Sequence, residues 1–381
     1  MTQALLMGTG ALLVAFAVSF LVTPLTARAA RRWGILDLPQ VGSNGHKKHK
    51  EATPYLGGLA IFCGVLAGSV FMFMIPEGRF TFLLAGFPLA IAAAFGLGFV
   101  GLIDDLRTLP RVVRLLAQIG AAVMAHYGGF SVSITSEPAL NLFLTVLWIV
   151  GITNAFNLLD NMDGLTSGLA GIAALTFAAM GIIGGMPLVT AVAAALSGAA
   201  FGFLAHNRHP AKIFMGDAGS TFIGFLLALI GVRLRFDNLV EVTFLIPVVV
   251  LGIPILDTAL VVTSRRLNNR PVFLGGRDHI SHRLVHLGLS VPVAVGLLYW
   301  TGVCLGWLGL VISQATVQVG WMLLGFTIAL GLFFAGLLLR IPVYEEEFEK
   351  TEDLRLTEER EGEEFTTAVD NLSAEVTKVN T

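Results

Sequence analysis

Asn154, Asn157, Asp160 and Asp163 stand at three-residue intervals in the stretch NAFNLLDNMDG, which follows the apolar run LFLTVLWIVGIT. On an α-helix that spacing drifts by about 60° per step, so the four would sweep half the circumference while rising toward water. A helix end that needed only solvation would mix in lysines. A set made only of Asn and Asp suits a hard cation such as Mg2+, which takes few protein oxygens and completes its octahedron with phosphate and water. Solvation of the helix end is the plainer alternative. Asp104 and Asp105 are adjacent at the end of another apolar run. They read either as a helix end reaching water or as a pair whose repulsion raises one carboxyl into the range of a base or ligand. Asp217, in KIFMGDAGS, sits at the mouth of a third run between Gly216 and Gly219, with Lys212 five residues before it. It reads as a further oxygen ligand or as a helix cap.

Cationic and imidazole groups accompany these oxygens. GGRDHISHR holds His279, His282 and Arg283. A His-x-x-His pair could bind zinc, but no cysteine stands near it, and Arg277 and Arg283 oppose a cation. A phosphate or diphosphate suits the segment better. Arg114 with Arg111, and Lys47 with His49 in GHKKHK, point the same way. Oxygen ligands for a divalent metal beside cations for phosphates are the parts needed for phosphoryl transfer.

The elements that must position these groups are apolar. Of 381 residues 55% are hydrophobic and 13% charged, against about 25% charged in ordinary soluble chains. Apolar runs fall near 3–25, 55–75, 82–103, 112–127, 141–158, 164–185, 187–206, 219–234, 240–262, 290–313 and 318–341. Most approach the roughly 20 residues that cross a bilayer core. The expected fold is all-α, a polytopic membrane protein of about eleven transmembrane helices spanning residues 1–341, with an acidic tail over 342–381. The first run lacks a basic leader and a small-residue cleavage site, and reads as a retained span. With alternating spans, 16 Lys and Arg fall in the loops after runs 1, 3, 5, 7 and 9 or at the run ends beside them, and three (Arg79, Arg233 and Arg235) on the opposite side. The positive-inside rule places the richer side in the cytoplasm. Every polar cluster named above lies on that side, which predicts one cytoplasmic site. Cys63 and Cys304 sit inside apolar runs and read as small buried hydrophobes. The segment from Tyr344 onward carries 13 acids and four bases. It reads as a solvated extension. No nucleic-acid partner is expected.

These motifs, in this order, resemble the polyprenyl-phosphate N-acetylhexosamine-1-phosphate transferase family (glycosyltransferase family 4). The resemblance is strongest to its bacterial undecaprenyl-phosphate GlcNAc-1-phosphate transferase branch. It runs over about residues 30–290 by motif and leaves the acidic tail outside. It implies an all-α fold in the bacterial inner membrane, cytoplasmic loops forming the active site, and a homodimer. It also implies transfer of a sugar 1-phosphate from a UDP-N-acetylhexosamine to the membrane lipid undecaprenyl phosphate, releasing UMP, with Mg2+ or Mn2+ required. By resemblance Asp104 and Asp105 match the family's paired aspartates, one of which deprotonates or positions the lipid phosphate. Arg114 falls on a diphosphate contact where Lys is commoner. Asn157 falls on a metal-side position and Asp163 on one near the uracil, and the pattern as a whole implies a substrate-binding wall that includes Asn154 and Asp160, whose part in it is either contact or holding its shape. Asp217 matches a Mg2+ ligand. His279, His282 and Arg283 match a His-x-His-His-Arg pattern, with Ser281 in place of one His. Lys47, His49, Gly57 and Gly58 match an early motif whose Arg is missing here. Pro254 kinks a span that helps form the lipid groove in the family, or is a tolerated transmembrane proline; Asp257 follows it as a structural residue.

Two other readings bear on the same residues. The branch transferring phospho-MurNAc-pentapeptide has a consecutive triple-His stretch, and HISHR argues instead for a simple amino sugar. A secondary transporter would place its site near the bilayer midplane in repeated halves. Here the acids stand at span ends and no halves repeat.

Overall fold

The structure, a computed structural model, describes residues 2–37, 52–75, 86–236, 243–272 and 275–344. Lys47, His49 and the acidic segment beyond Tyr344 lie outside the described residues. Among the described residues thirteen α-helices follow in chain order. The first eight are α1 (Thr2–Trp33), α2 (Gly57–Met74), α3 (Phe87–Leu106), α4 (Arg111–Tyr127), α5 (Pro138–Leu159), α6 (Leu165–Ile183), α7 (Pro187–Asn207) and α8 (Gly216–Arg233). The remaining five are α9 (Ile246–Val250), α10 (Gly252–Leu267), α11 (Ile280–His286), α12 (Val291–Gln314) and α13 (Val317–Leu339). A two-stranded antiparallel ribbon, β1 (Leu36–Asp37) with β2 (Thr53–Pro54), pairs Leu36 with Pro54 and Asp37 with Thr53.

The chain is an all-α multi-pass membrane protein. Among the described residues nine helices are long and apolar enough to cross a bilayer, and one sharply bent pair of helices makes either a tenth, broken crossing or a re-entrant loop. That break is in the 240–262 run, where the segment ending in α9 meets α10 at 71°. The eleventh expected span, the run at 112–127, becomes α4, only 17 residues long and bearing Arg111 and Arg114. It nevertheless runs the length of α3. Arg114 near its start reaches Asp104 at the end of α3, and Gly128 just past its end abuts Gly86 at the start of α3.

Helix α8 occupies the middle of the bundle. Nearly every residue from Gly216 to Val232 is buried, and α2, α3, α5, α6 and α7 pack around it. Its apolar face is therefore its whole circumference, as expected of a helix with no lipid or water side. The outer helices behave oppositely. Along α13 only Gly320 and Leu324 are buried, and Trp321, Phe326, Phe333 and Phe334 face outward as lipid-facing side chains would. Cys63 and Cys304 also face outward, on α2 and α12. The expectation that they are buried is corrected: an apolar run in a membrane protein has a lipid side as well as a core side, and a small thiol suits either.

Close approach of α3 to α8 depends on Gly101. A Cβ there would lie 2.7 Å from both the Ala218 Cα and the Asp217 carbonyl oxygen. Gly96, in the same helix, has nothing within 4 Å of an added Cβ. The two substitutions should therefore have opposite signs. Gly101→Ala is expected to lower the melting temperature of the detergent-purified protein, because backbone must shift to admit the methyl. Gly96→Ala should leave it unchanged or raise it, through the helix propensity of Ala over Gly of about 1 kcal/mol. A thermal melt of both variants beside the parent checks the pair; equal shifts would contradict the packing.

Candidate active site

The site starts from a helix beginning. Residues at the start of α8 have backbone N–H groups without intrahelical partners. The Asp105 carboxylate at the end of α3 accepts two of them, from Asp217 N at 2.7 Å and Ala218 N at 3.1 Å. Gly216 turns at φ 73° directly against that carboxylate, where any Cβ would collide with it. The start of α2 locks on from the other side. Gly57 N and Gly58 N each donate at 2.9 Å, to the carbonyls of Phe214 and Met215, and Phe214 N returns a bond to Pro54 O.

With its backbone held, Asp217 projects into a polar ring. Arg114 Nη1 lies 2.7 Å from Asp104 Oδ2 and 3.1 Å from Asp217 Oδ2. Asn157 Nδ2 donates to Asp217 Oδ1 at 2.8 Å and to Ser220 Oγ at 3.1 Å. Asp104 also accepts Leu109 N at 2.6 Å. Asp104 is nearly enclosed, while the side chains of Arg114 and Asp217 are about one-third exposed, at 33% and 30%. The open part of the ring is thus Arg114 and Asp217. The structure brings Asp104, Asp105, Arg114, Asn157 and Asp217 together from α3, α4, α5 and α8.

The three-residue ladder does not continue as a helix. Helix α5 ends at Leu159, Asp160 takes a non-helical conformation as its C-cap, and Gly164 turns the chain at φ 75° into α6. The expected sweep of four groups around one helix is corrected accordingly: Asn154 and Asn157 are helical, and Asp160 and Asp163 lie in the turn. Asn154 faces away from the ring, donating to Gln118 Oε1 at 2.6 Å and to Val150 O at 2.8 Å. Asp163 Oδ2 accepts His209 Nδ1 at 2.8 Å and Ala211 N at 3.1 Å, tying the turn to the segment before α8. Asp160 is half-buried. Burial, with the charges of Asp217 and Asp163 nearby, pushes its carboxyl up to about 7. Tyr55 is drawn into the same field: burial and then the charges of Asp105, Asp217 and Asp160 hold its hydroxyl far above the usual tyrosine range.

The imidazole segment joins from the far side. Asp257 on α10 accepts His279 Nδ1 and Ile280 N, both at 2.7 Å. Ser281 Oγ donates to Asn161 Oδ1 at 2.6 Å, linking the segment to the α5–α6 turn. His279 is buried, and His282 is half-buried with its ring edge-on to that of His279. Burial, then the His279 and Arg277 charges, push His282 down to about 4, so it is neutral at pH 7.

Arg283, expected at a phosphate, is instead fully enclosed. It donates to Asp278 O at 2.9 Å, Leu338 O at 2.8 Å, Ile341 O at 2.9 Å and Ser264 Oγ at 2.6 Å. Leu338 stands in the last turn of α13 and Ile341 just beyond it, so the guanidinium caps that end beside the backbone bond from Ile341 N to Leu338 O at 3.1 Å. Four of its five N–H donors are spent on the protein, so in this arrangement Arg283 ties α11 to α13.

Several contributors carry no strong sequence signal. Asn207 accepts Gly164 N at 3.1 Å and Ser167 Oγ at 3.0 Å, and donates to Ile213 O at 2.9 Å. Tyr299 Oη donates to Gly164 O at 2.6 Å. Asn161 lies inside the opening stretch but out of its three-residue register. Among the described residues no group of three or more His, Cys, Asp or Glu is placed to cage a metal. Asp217, with the Asn157 amide turned to present its oxygen instead of the nitrogen, could hold a Mg2+-like ion bound mostly by phosphate and water.

Comparison with known proteins bears on the same residues. The family model described as Glycosyl transferase family 4 matches residues 87–235, which covers α3 to α8 and the whole carboxylate ring. A probable undecaprenyl-phosphate N-acetylglucosaminyl 1-phosphate transferase of Bacillus subtilis is 36% identical over 319 residues, 80% of this chain and 86% of that protein. A decaprenyl-phosphate N-acetylglucosaminephosphotransferase of Mycobacterium tuberculosis is 31% identical over 325 residues, 76% of this chain and 79% of its own. A phospho-N-acetylmuramoyl-pentapeptide-transferase of Geobacillus thermodenitrificans is 31% identical over 302 residues, 72% of this chain and 90% of its own.

The raised carboxyl of Asp160 gives a pH test. Between the ordinary carboxyl range near 4 and about 7, the folded chain binds this proton and the unfolded chain does not. Folding stability from this group therefore falls as pH rises through that window. Asp160→Asn removes the effect. In metal-free buffer the variant's melting temperature, relative to the parent, should climb from about pH 5 to about pH 8. A pH-independent difference would contradict the raised carboxyl of Asp160.

Proposed function

We propose a reaction for this chain from the family to which it belongs, the polyprenyl-phosphate N-acetylhexosamine-1-phosphate transferases of glycosyl transferase family 4. The chain is a multi-pass membrane enzyme of the phosphosugar transferase class. Its substrates in our reading are UDP-GlcNAc and undecaprenyl phosphate, and its products undecaprenyl-diphosphate-GlcNAc and UMP. The observation that carries this is the convergence of Asp104, Arg114, Asn157 and Asp217 at one end of the bundle, with Asp217 and Arg114 open to a ligand. The HISHR segment and the higher identity to a relative named for GlcNAc support the amino sugar over a MurNAc-pentapeptide donor. The excess of Lys and Arg in the loops at this end supports a cytoplasmic site, and we take the enzyme to work as a homodimer.

In the proposed displacement an oxygen of the acceptor phosphate attacks the donor phosphorus that bears the sugar. The bond from that phosphorus to the bridging oxygen breaks, and UMP leaves with that oxygen. A phosphate monoester has a second pKa near about 6, so the acceptor is largely dianionic at neutral pH without help from a base. Asp105 and Asp104 then serve by holding the α8 start and Arg114. Asp217 and Asn157 would hold Mg2+, Asn157 by presenting its amide oxygen in place of the nitrogen. Such an ion would supply charge to offset what develops on the donor's phosphates. Arg114 offers the diphosphate a fixed cation, and neutral His282 offers a hydrogen bond rather than a charge.

Purified protein should release UMP when given undecaprenyl phosphate and UDP-GlcNAc, and more slowly with other UDP-sugars in the same assay. UDP-MurNAc-pentapeptide as the preferred donor would overturn the choice of sugar. Asp217→Ala should lose at least about a hundredfold in turnover; full turnover in Mg2+ would remove Asp217 from the metal site.

Arg114 and a divalent ion would compete for the same Asp217 oxygen. Arg114→Gln is therefore expected to bind Mn2+ more tightly than the parent in a calorimetric titration, while its transfer rate falls. Weaker Mn2+ binding by the variant would contradict the competition.

A further inference from the structure

The site has two parts that come from distant stretches of chain: the carboxylate ring with its α5–α6 turn, and the imidazole segment at the start of α11. Ser281 Oγ to Asn161 Oδ1, at 2.6 Å, joins them directly. Both ends of this bond are fixed. Ser281 is 1% exposed, so its hydroxyl has no water to turn to. The Asn161 amide nitrogen donates to Leu158 O at 3.1 Å, a carbonyl in the last turn of α5, which leaves Oδ1 to accept. The neighbouring residues of α11 are held elsewhere: His279 and Ile280 bind Asp257 on α10. Asp257 sets where the segment begins, and Asn161 sets how it lies against the turn. His282 follows Ser281 directly in sequence, so its ring inherits that placement.

We propose that Asn161 and Ser281 form a clamp of positioning residues that fastens the His279–His282 segment to the turn bearing Asp160 and Asp163. This rests on the transferase reading above, in which His282 meets the donor's diphosphate. The serine stands where the family pattern has a histidine, so this chain gains here a small buried hydroxyl in place of another ring. Without the clamp the first turn of α11 moves independently of the α5–α6 turn, and donor binding weakens while the acceptor's does not.

The test uses full-length protein with Ser281→Ala, Asn161→Ala, both together, and Ser281→Thr, which keeps the hydroxyl. Two readouts are taken. The first needs no substrate: the rate at which diethyl pyrocarbonate acylates His282, followed by peptide mass spectrometry. It should rise severalfold in both alanine variants, rise no further in the double variant, and stay near the parent rate in Ser281→Thr. The second is kinetic. The KM for UDP-GlcNAc should rise about fivefold, the equivalent of one neutral hydrogen bond of about 1 kcal/mol, with kcat and the acceptor KM within about twofold of the parent. The double variant should match the single ones, because the two residues act as a unit. Unchanged His282 labelling in both single variants, or additive effects in the double variant, would overturn the clamp. Absence of transfer from any UDP-sugar by the parent protein would overturn the proposed reaction, and the labelling would still decide the clamp.

Discussion

A helix that begins inside a membrane bundle must find partners for its first N–H groups, and in a region short of water only protein can supply them. The beginning of α8 is that place. Asp105 supplies the acceptors, and the consequences spread outward. Helix α3 has to come within backbone contact of α8, which fixes Gly101. The chain has to turn against the carboxylate, which fixes Gly216. The opposite flank is closed by the Gly57 and Gly58 N–H groups. Only after these demands are met does the side chain of Asp217 have one direction left, into the ring of Arg114, Asn157 and Ser220. The residue best suited to hold a ligand is thus positioned by a solution to a backbone hydrogen-bonding problem.

The same ring is electrostatically incomplete. Asp104, Asp105 and Asp217 bring three carboxylates to one place, and Arg114 is the cation that bridges two of them. Asp105 is offset by helix N–H groups, which carry partial positive charge. Asp160 stands just outside, where burial raises its carboxyl and the surplus negative charge raises it further. A carboxylate cluster of this kind draws additional positive charge. The imidazole side has the opposite lean: burial, His279 and Arg277 all disfavour a proton on His282. The two parts of the site thus lean oppositely, the carboxylate ring toward added positive charge and the imidazole segment away from it.

Much of this is legible in the sequence, for identifiable reasons. The apolar runs name the helices because nothing but a helix or a closed barrel satisfies its own backbone in lipid, and each of the runs is helical over most of its described residues. The clustering of Asp104, Asp105, Asn157 and Asp217 follows from topology, since the loops that carry them alternate to one side. What is not legible depends on distance along the chain or on where a helix stops. The ladder at 154–163 looks helical throughout because spacing alone carries no stop signal; the turn is completed by the positive φ at Gly164, and Asp160 and Asp163 leave the helix before it. Asp163 then answers to His209, and Ser281 to Asn161, partners that no local pattern identifies. Lys47 and His49 lie on the stretch that β1 and β2 bracket, outside the described residues.

Arg283 shows the limit most clearly. An arginine beside two histidines on a polar loop reads as an anion contact, and its type and spacing contain nothing against that. Its neighbours in space decide otherwise. The last crossing, α13, is exposed along most of its length and has little packing to fix its end. Arg283 fixes it by donating to Leu338 O in the last turn and to Ile341 O just beyond, and its own position is held in turn by Ser264 and Asp278. Asp278 is itself buried, and the Arg265 guanidinium, with the Tyr344 hydroxyl, more than offsets the burial that would otherwise raise its carboxyl. Removing either partner of such a buried pair would leave the other's charge buried without its counter-charge. Through it the end of α13, the imidazole segment and α10 are joined as one piece, and the acidic stretch of sequence that follows Tyr344 starts from a point tied to the same piece that carries His282.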